Sequence, residues 1–304
     1  MAEIDTGSID AIICDLPYGT MKGINERFEW DNIIDTDKLF SEYGRILRKN
    51  GVAILFSQEP YTSHLRTFKN KCNLSFSYSM IWIKNKAGNQ LMAKTAPVSF
   101  FEDLSVFHKR HDDYLLHPLR EYALQVLNFI GCQTAKGVND ILGHRKAEHF
   151  FMVTSFRKKH ENNKIGTSQF ALCTNETYNE LIKVFNIDKM QGFKPYDELK
   201  ETDRTFNRTF NLPYNENSLS NVFYFDKEND NFHPTQKPVN LIRKLIVTYT
   251  NENDLILDNC MGSGTTAVAA IKEKRRFIGF ETDINYFNIA NKRIKNARQQ
   301  LSLF

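Results

Sequence analysis

The sequence predicts an α/β fold, an open twisted sheet with helices on both faces. Two observations carry this. Strand and helix signals alternate at both ends of the 304-residue chain. Each end also carries a strand-end turn with ligand-binding chemistry. Near the start, the apolar run Ala11-Ile12-Ile13-Cys14 is closed by Asp15-Leu16-Pro17-Tyr18. Near the end, Leu255-Ile256-Leu257-Asp258 reads as a buried strand. It leads through Asn259-Cys260-Met261-Gly262-Ser263-Gly264-Thr265-Thr266 into a helical Ala267-Val268-Ala269-Ala270-Ile271. At 41% hydrophobic residues the chain can bury one large domain plus an insertion.

The first turn suits a planar amine. The Asp15 carboxylate can accept one N–H and a backbone carbonyl in the turn the other, while Pro17 fixes the turn and Tyr18 offers a ring face for stacking. An exocyclic base amine is a poor nucleophile because its lone pair is delocalised into the ring. Two acceptors on its two protons draw the nitrogen toward tetrahedral geometry and free that pair. In the second turn, glycines allow close backbone approach and helix-start N–H groups favour anionic oxygens. Glu281 follows 17 residues past Gly264, after Arg276-Phe277-Ile278-Gly279-Phe280. An acid at that place binds a ribose hydroxyl pair in nucleotide folds.

Together these turns resemble the amino-group DNA methyltransferases, N6-adenine and N4-cytosine, in the permuted beta-class order with the catalytic motif first and the cofactor motif last. Further stretches fit that order. Trp30-Asp31 and then Leu39 to Leu47 look like the helix after the catalytic loop, and Gly51 to Phe56 like the next core strand. Ile81-Trp82-Ile83-Lys84, Ala93 to Pro97 and Glu102 to Phe107 look like the late strands of the catalytic half. His233-Pro234-Thr235-Gln236-Lys237-Pro238 looks like the lead-in to the cofactor strand. The likeness covers roughly 1–110 and 231–304 and is nearest to phage-type or solitary adenine methylases.

The resemblance implies a Rossmann-like methyltransferase sheet. It implies S-adenosylmethionine as cofactor and the N6 of a flipped-out adenine in duplex DNA as methyl acceptor. Asp15, Leu16, Pro17 and Tyr18 would be catalytic. Asp258, Cys260, Gly262, Ser263, Gly264, Thr265 and Glu281 would bind the cofactor, with His233, Thr235 and Lys237 from the lead-in. The implied organisation is 1–109 as catalytic half, 110–230 as a largely helical target-recognition insertion, and 231–304 as cofactor half. A bacterial or phage-encoded cytoplasmic enzyme follows, in restriction-modification or phage methylation, with room for a homodimer.

Three departures stand out. Leu16 replaces the first proline of Asp-Pro-Pro-Tyr, at a position that contributes only its carbonyl. Asp258-Asn259-Cys260 replaces Asp-Pro-Phe, which removes an aromatic cofactor contact. Family members carry a further strand with a Gly-Asp pair before the equivalent of Ser8-Ile9-Asp10, where this sequence has only Met1 to Gly7. A trimmed or late start, or an adenine pocket built differently, would account for that.

Other classes fit less well. Gly262 to Ala267 satisfies the dinucleotide fingerprint G-x-G-x-x-A, but fewer than fifty residues follow it and the Asp15 turn has no dehydrogenase role. No lysine follows the glycines, so a P-loop fails. Carbon-5 cytosine methylation needs a nucleophilic thiolate after proline, and none of the five cysteines follows one. N4-cytosine, RNA or protein-glutamine amino methylation would use the same kind of turn. A DNA-binding protein with a decayed site is opposed by intact Asp15, Tyr18, glycines and Glu281.

The five cysteines form no C-x-x-C pair, which suits reduced thiols. No charged-then-apolar leader opens the sequence, and no apolar run approaches the ~20 residues that span a bilayer. The net charge of +4 is unevenly placed. Arg145, Lys146, Arg157, Lys158, Lys159 and Lys164 cluster against only Glu148 and Glu161. Beside a base-handling turn, that run reads as a phosphate or base contact with DNA, with Arg145, Lys146, Arg157, Lys158 and Lys159 as the candidates. His108 and His111 lack further suitably spaced ligands, so no metal is expected.

Within the insertion, Pro118 and Gly131 should bracket a helix carrying Tyr122, Val126, Leu127, Phe129 and Ile130. A short helix at Val138 to Leu142, closed by Gly143, would complete a helix-turn-helix-like element. Thr177-Tyr178-Asn179-Glu180 fits a capping box for a helix burying Tyr178, Leu181, Ile182 and Phe185. Asp197 to Ser220, polar with Asn and Pro, reads as loop.

Overall fold

β1 (Ile9–Asp15) is the keystone of the sheet. Its first six residues are all buried, as expected of a parallel strand covered on both faces. A computed structural model describes residues 1–19, 31–68, 72–87, 93–109, 117–153, 170–212, 218–228, 232–233 and 235–301. It forms two compact units, residues 1–110 with 208–304, and residues 111–207.

In the first unit β1 leads to α1 (Thr36–Ile46), β2 (Leu47–Ser57), α2 (Tyr61–Thr67), β3 (Leu74–Ile83) and β4 (Phe101–Lys109). The second unit holds α3 (Leu119–Ile130), α4 (Ala135–Leu142), α5 (Asn175–Phe185) and α6 (Tyr196–Phe206). The chain then returns to the first unit with β5 (Val222–Tyr224), α7 (Val239–Tyr249), β6 (Leu255–Asp258), α8 (Thr265–Lys272), β7 (Arg276–Gly279) and α9 (Ile284–Leu301).

Among the described residues, seven strands lie in the order β5-β3-β4-β2-β1-β6-β7. β4 runs antiparallel to both its neighbours, and every other pairing is parallel. The carboxyl ends of β1, β2, β3, β6 and β7 therefore share one edge of the sheet. Because β4 is reversed, its first residues come to that same edge.

Alternation along β1 divides the core in two. Ala11 and Ile13 pack with Ile54, Leu245 and Ala269, under α7 and α8. Ile12 and Cys14 pack on the opposite face with Leu39, Phe40, Tyr43 and Leu65, under α1 and α2. Helices thus cover both faces, as the sequence predicted. Phe40 is fully buried and meets Phe107 edge-on at 5.3 Å. Burying a side chain of this size contributes about 1.5–3 kcal/mol.

The second unit has its own core, including Tyr122, Val126, Val138, Phe150, Tyr178 and Leu199. The hydroxyls of Tyr122 and Tyr178 meet at 2.5 Å, and the Tyr178 hydroxyl donates to the Lys194 carbonyl at 2.7 Å. Pro118 precedes α3 and Gly131 closes it, and Gly143 closes α4.

Three sequence expectations change here. The unit ends at 207, not 230, because Val222–Tyr224 hydrogen-bonds in parallel beside Ile81–Ile83 of β3. Tyr196–Phe206 is helix rather than loop, started by Pro195 with Asp197 and Glu198 in its first turn. α5 begins three residues early, with Thr174 as the cap that accepts from the Thr177 N–H. No helix among the described residues is long and apolar enough to cross a membrane.

Candidate active site

The Asp15 turn and the glycine turn come together because β1 and β6 are neighbours, with Ala11 opposite Ile256 and Ile12 opposite Leu257. Both turns open into one cleft of about 970 Å³. Asp15, Leu16, Pro17 and Tyr18 line it, as do Asp258, Cys260, Gly262, Ser263, Thr265, Glu281, His233, Thr235 and Lys237. Of the residues expected at the catalytic and cofactor sites, Gly264 alone does not.

Asp15 is held from both sides. The Tyr18 hydroxyl donates to its Oδ1, and the Lys237 ammonium donates to its Oδ2 at 2.5 Å. Lys237 also pairs with Glu102 Oε2 at 3.1 Å, and Lys84 with Glu102 Oε1 at 3.1 Å. The side chains of Lys84 and Lys237 are only 1% and 6% exposed. Asp15, Lys237, Glu102 and Lys84 therefore alternate in sign along a buried chain. Burial pushes the Asp15 carboxyl above its usual range, with Lys237 opposing and Glu102 adding to the shift. Burial works against the Lys237 ammonium too, but Asp15 and Glu102 outweigh it and raise its pKa. Glu102 is held below the usual range because Lys237 and Lys84 overcome its burial.

Lys84 and Glu102 were not singled out from the sequence. They sit at the carboxyl end of β3 and the start of the reversed β4, which is why they reach this edge. The available signal was charge abutting each apolar run, in Trp82-Ile83-Lys84 and in Phe101-Glu102-Asp103-Leu104. Lys237, expected with the cofactor residues, directs its ammonium at Asp15.

In the second turn the Gly262 N–H donates to Glu281 Oε2 at 2.7 Å, and the Asp283 N–H to Oε1 at 2.8 Å. A carboxylate has about four acceptor positions, so Glu281 keeps lone pairs for a hydroxyl pair. Gly262 has φ +52°, and a Cβ there would come no nearer than 3.7 Å to the His233 ring. Gly264 differs. It is the cap of α8 at φ +84°, and a Cβ there would lie 2.9 Å from Ala290 Cβ. Helix packing and the positive φ both favour glycine here.

Ser263 donates to Gln236 Oε1 at 3.0 Å, and Arg293 donates to the Ser263 carbonyl at 2.8 Å. Asp258 Oδ1 accepts the Cys260 N–H at 3.0 Å, and burial pushes its carboxyl up to about 6. His233 packs on Tyr286 with ring centres 4.2 Å apart. Its Nδ1 accepts from the Thr235 N–H at 3.3 Å. Burial, helped by Lys237, lowers its pKa to about 4, so the ring is neutral at pH 7.

Of the expected DNA contacts, Arg145 and Lys146 fall among the described residues. Arg145 pairs with Glu148 through two hydrogen bonds of 2.5 Å, and Lys146 is exposed. Both belong to the second unit. Arg157, Lys158 and Lys159 lie outside the described residues. His108 is engaged by Ser77 Oγ at 2.9 Å, and His111 too lies outside the described residues.

The family model for DNA methylases of the N6 and N4 type matches residues 9–292. The type II methyltransferase M2.LlaDCHI of Lactococcus lactis subsp. cremoris is 48% identical over 65 residues, 21% of this chain and 24% of that protein. The type II methyltransferase M2.DpnII of Streptococcus pneumoniae is 49% identical over 63 residues, 21% of this chain and 24% of that protein. The chain thus spans about a quarter of the length of these curated relatives. The crystal structure of an M1.HpyAVI–SAM complex superposes with a TM-score of 0.51 at 20% identity, covering 94% of this chain and 89% of that one. The fold is accordingly the Rossmann-like methyltransferase sheet.

Proposed function

This chain belongs to the DNA methylase family, and on that premise we propose that it transfers a methyl group from S-adenosylmethionine to the N6 of adenine in duplex DNA. The observation that carries the reading is the shared cleft, with an amine-accepting turn on β1 and a nucleotide-type glycine turn on the adjoining β6.

The residues present fit the cofactor. Glu281 has lone pairs for ribose hydroxyls, and the space above Gly262 is open to the His233 ring. Pockets for drug-sized ligands run to about 1,000 Å³, so the cleft has the volume for a nucleoside and part of a second ligand. When bound, the group would supply an activated methyl on its sulfonium for transfer to the amine nitrogen.

The chain's own residues align the acceptor. A base must leave the duplex stack to reach the cleft, which costs a few kcal/mol. The Tyr18 ring stacks on it. Asp15 accepts one amine N–H and the Leu16 carbonyl the other, which releases the nitrogen lone pair toward the methyl. Alignment supplies most of the remaining acceleration. Adenine is preferred over cytosine N4 because the turn opens with Asp15, where cytosine-amino enzymes commonly carry serine.

The experiment is in vitro methylation of mixed-sequence DNA, followed by digestion and mass analysis of the nucleosides. N6-methyladenine is the expected product. N4-methylcytosine would overturn the target base, and no methylated base would overturn the activity.

A further inference from the structure

We infer that Lys237 is a positioning residue for this reaction: its ammonium, clamped between Asp15 and Glu102, keeps the Asp15 carboxylate charged and aimed into the cleft as an amine acceptor. The inference rests on the reading of Asp15 as that acceptor, and it replaces the cofactor role that sequence resemblance implied for Lys237.

The geometry is specific. Asp15 and Lys237 come from opposite ends of the chain, yet the ammonium reaches Oδ2 at 2.5 Å. Lys237 stands just before α7, anchored by a contact from its ammonium to the Thr235 carbonyl at 3.3 Å. Its side chain is 6% exposed, so it has little water to serve as an alternative partner. Glu102 pairs with it as an ion and is itself balanced by Lys84. The cation therefore has two carboxylates but shares one of them, which leaves it fully committed to neither.

The need for such a residue follows from the reaction. A protonated carboxyl has lost an acceptor position and gained a donor, and presents the wrong group to an N–H. Burial favours that protonated form, and Glu102 favours it further by repulsion. Lys237 is the cation that works against both. The other ionisable groups facing the pair are Tyr18 in the turn, Cys14 and Asp258 beneath it, Lys84 behind Glu102, and Lys227 and His233 beside Lys237. Of these, Tyr18 shares the load through its hydroxyl on Oδ1. That hydroxyl must turn away from this oxygen, or share it, when the amine arrives, whereas Lys237 occupies the other oxygen and can stay.

Two variants give opposite signs. Lys237→Met leaves Asp15 without its cation, so its carboxyl is pushed further up. A smaller fraction is then ionised at pH 7, so kcat falls at least about tenfold and recovers as pH rises. Glu102→Gln removes the repelling charge, so the acidic limb of the kcat profile moves to lower pH. Lys237→Arg keeps the charge and should retain most of the activity at pH 7. S-adenosylmethionine affinity, measured by calorimetry, should change less than about threefold in Lys237→Met.

The Asp15 carboxyl can also be titrated directly by 13C NMR in protein labelled at aspartate, with Asp15→Asn supplying the assignment. Its titration should rise in Lys237→Met and fall in Glu102→Gln. This readout needs no turnover, so it tests the pair even if wild type methylates no base, an outcome that would refute the proposed function instead. An active wild type whose Asp15 titration and acidic limb are unmoved by Lys237→Met would overturn the inference. So would a tenfold loss of cofactor affinity with the limb unmoved, which would return Lys237 to the cofactor. If Lys237→Met does not fold, the downward shift in Glu102→Gln decides alone.

Discussion

Replacing Gly264 with alanine should damage the fold more than the cofactor site. The residue sits at φ +84°, where an L side chain costs roughly 1–2 kcal/mol. Its new Cβ would lie 2.9 Å from Ala290 Cβ and 3.0 Å from Ala290 Cα, in the middle of α9. Overpacking of that kind costs typically about 1–3 kcal/mol. The sum is about 2–5 kcal/mol. An unfolding entropy of roughly 2.1 cal/mol/K per residue turns that into a fall in Tm of about 3–8 °C for a chain of this length. Calorimetric melting of wild type and Gly264→Ala would measure it. Ala290→Gly alone should cost about 1 kcal/mol as a helix glycine. The double variant should recover part of the clash, though not the backbone cost, so the two changes should be less than additive. Cofactor affinity, titrated well below the melting range, should move by less than tenfold. A Gly264→Ala protein with wild-type Tm and abolished cofactor binding would refute the reasoning, because the glycine would then face the ligand rather than Ala290.

Asp15→Ala should abolish methylation while leaving the calorimetric Kd for S-adenosylmethionine nearly unchanged; full activity would remove the central catalytic assignment. Asp258 has its carboxyl raised from the ordinary 3.8 to about 6 in the fold, so its contribution to stability is present below pH ~4 and lost as pH rises through about 6. Asp258→Asn should therefore gain on wild type across that window, by up to roughly 3 kcal/mol at pH 7. Melting curves from pH 4 to 8 check this, and a difference that does not grow with pH speaks against it. Reversing Lys158 and Lys159 to glutamate should weaken binding to all DNA sequences and flatten its salt dependence in a fluorescence titration. Unchanged affinity and slope would mean that these charges face solvent away from DNA.

The parts legible in the sequence were those governed by local rules. β1 and β6 announced themselves as apolar runs, and the turns after them by residues with special chemistry. Pro118, Gly131 and Gly143 marked the helices they bracket. The parts that were missed depend on strand order. β5 has three residues, and its membership of the sheet is visible only once β3 offers it an edge. Nothing local shows that β4 is reversed, yet that reversal delivers Glu102 to Lys237 and Lys84. Lys237 was tied by its motif to the cofactor strand, but its side chain is drawn to charge across the sheet edge. Gly264 was read by analogy with phosphate-binding glycines, whereas its neighbour Ala290 lies on a helix that its own motif does not contain.

The neighbourhood of β1 and β6 has a consequence for how the molecule is made. β1 is finished by residue 15, but its partner on one side begins at 255. Closing so long a loop, rather than one of twenty residues, adds only about 2 kcal/mol of entropy cost, because that cost grows with the logarithm of length. The delay matters more than the free energy. While the chain emerges from a ribosome, β1 can pair with β2 and bury one edge, but its other edge waits for the final sixth of the sequence. Until then the strand is hydrophobic on both faces, with a row of unsatisfied N–H and C=O groups along its open side. That is the kind of edge that recruits other chains into aggregates. Messages cut short before β6 would yield proteins that both lack the catalytic cleft and expose the strand meant to form its floor.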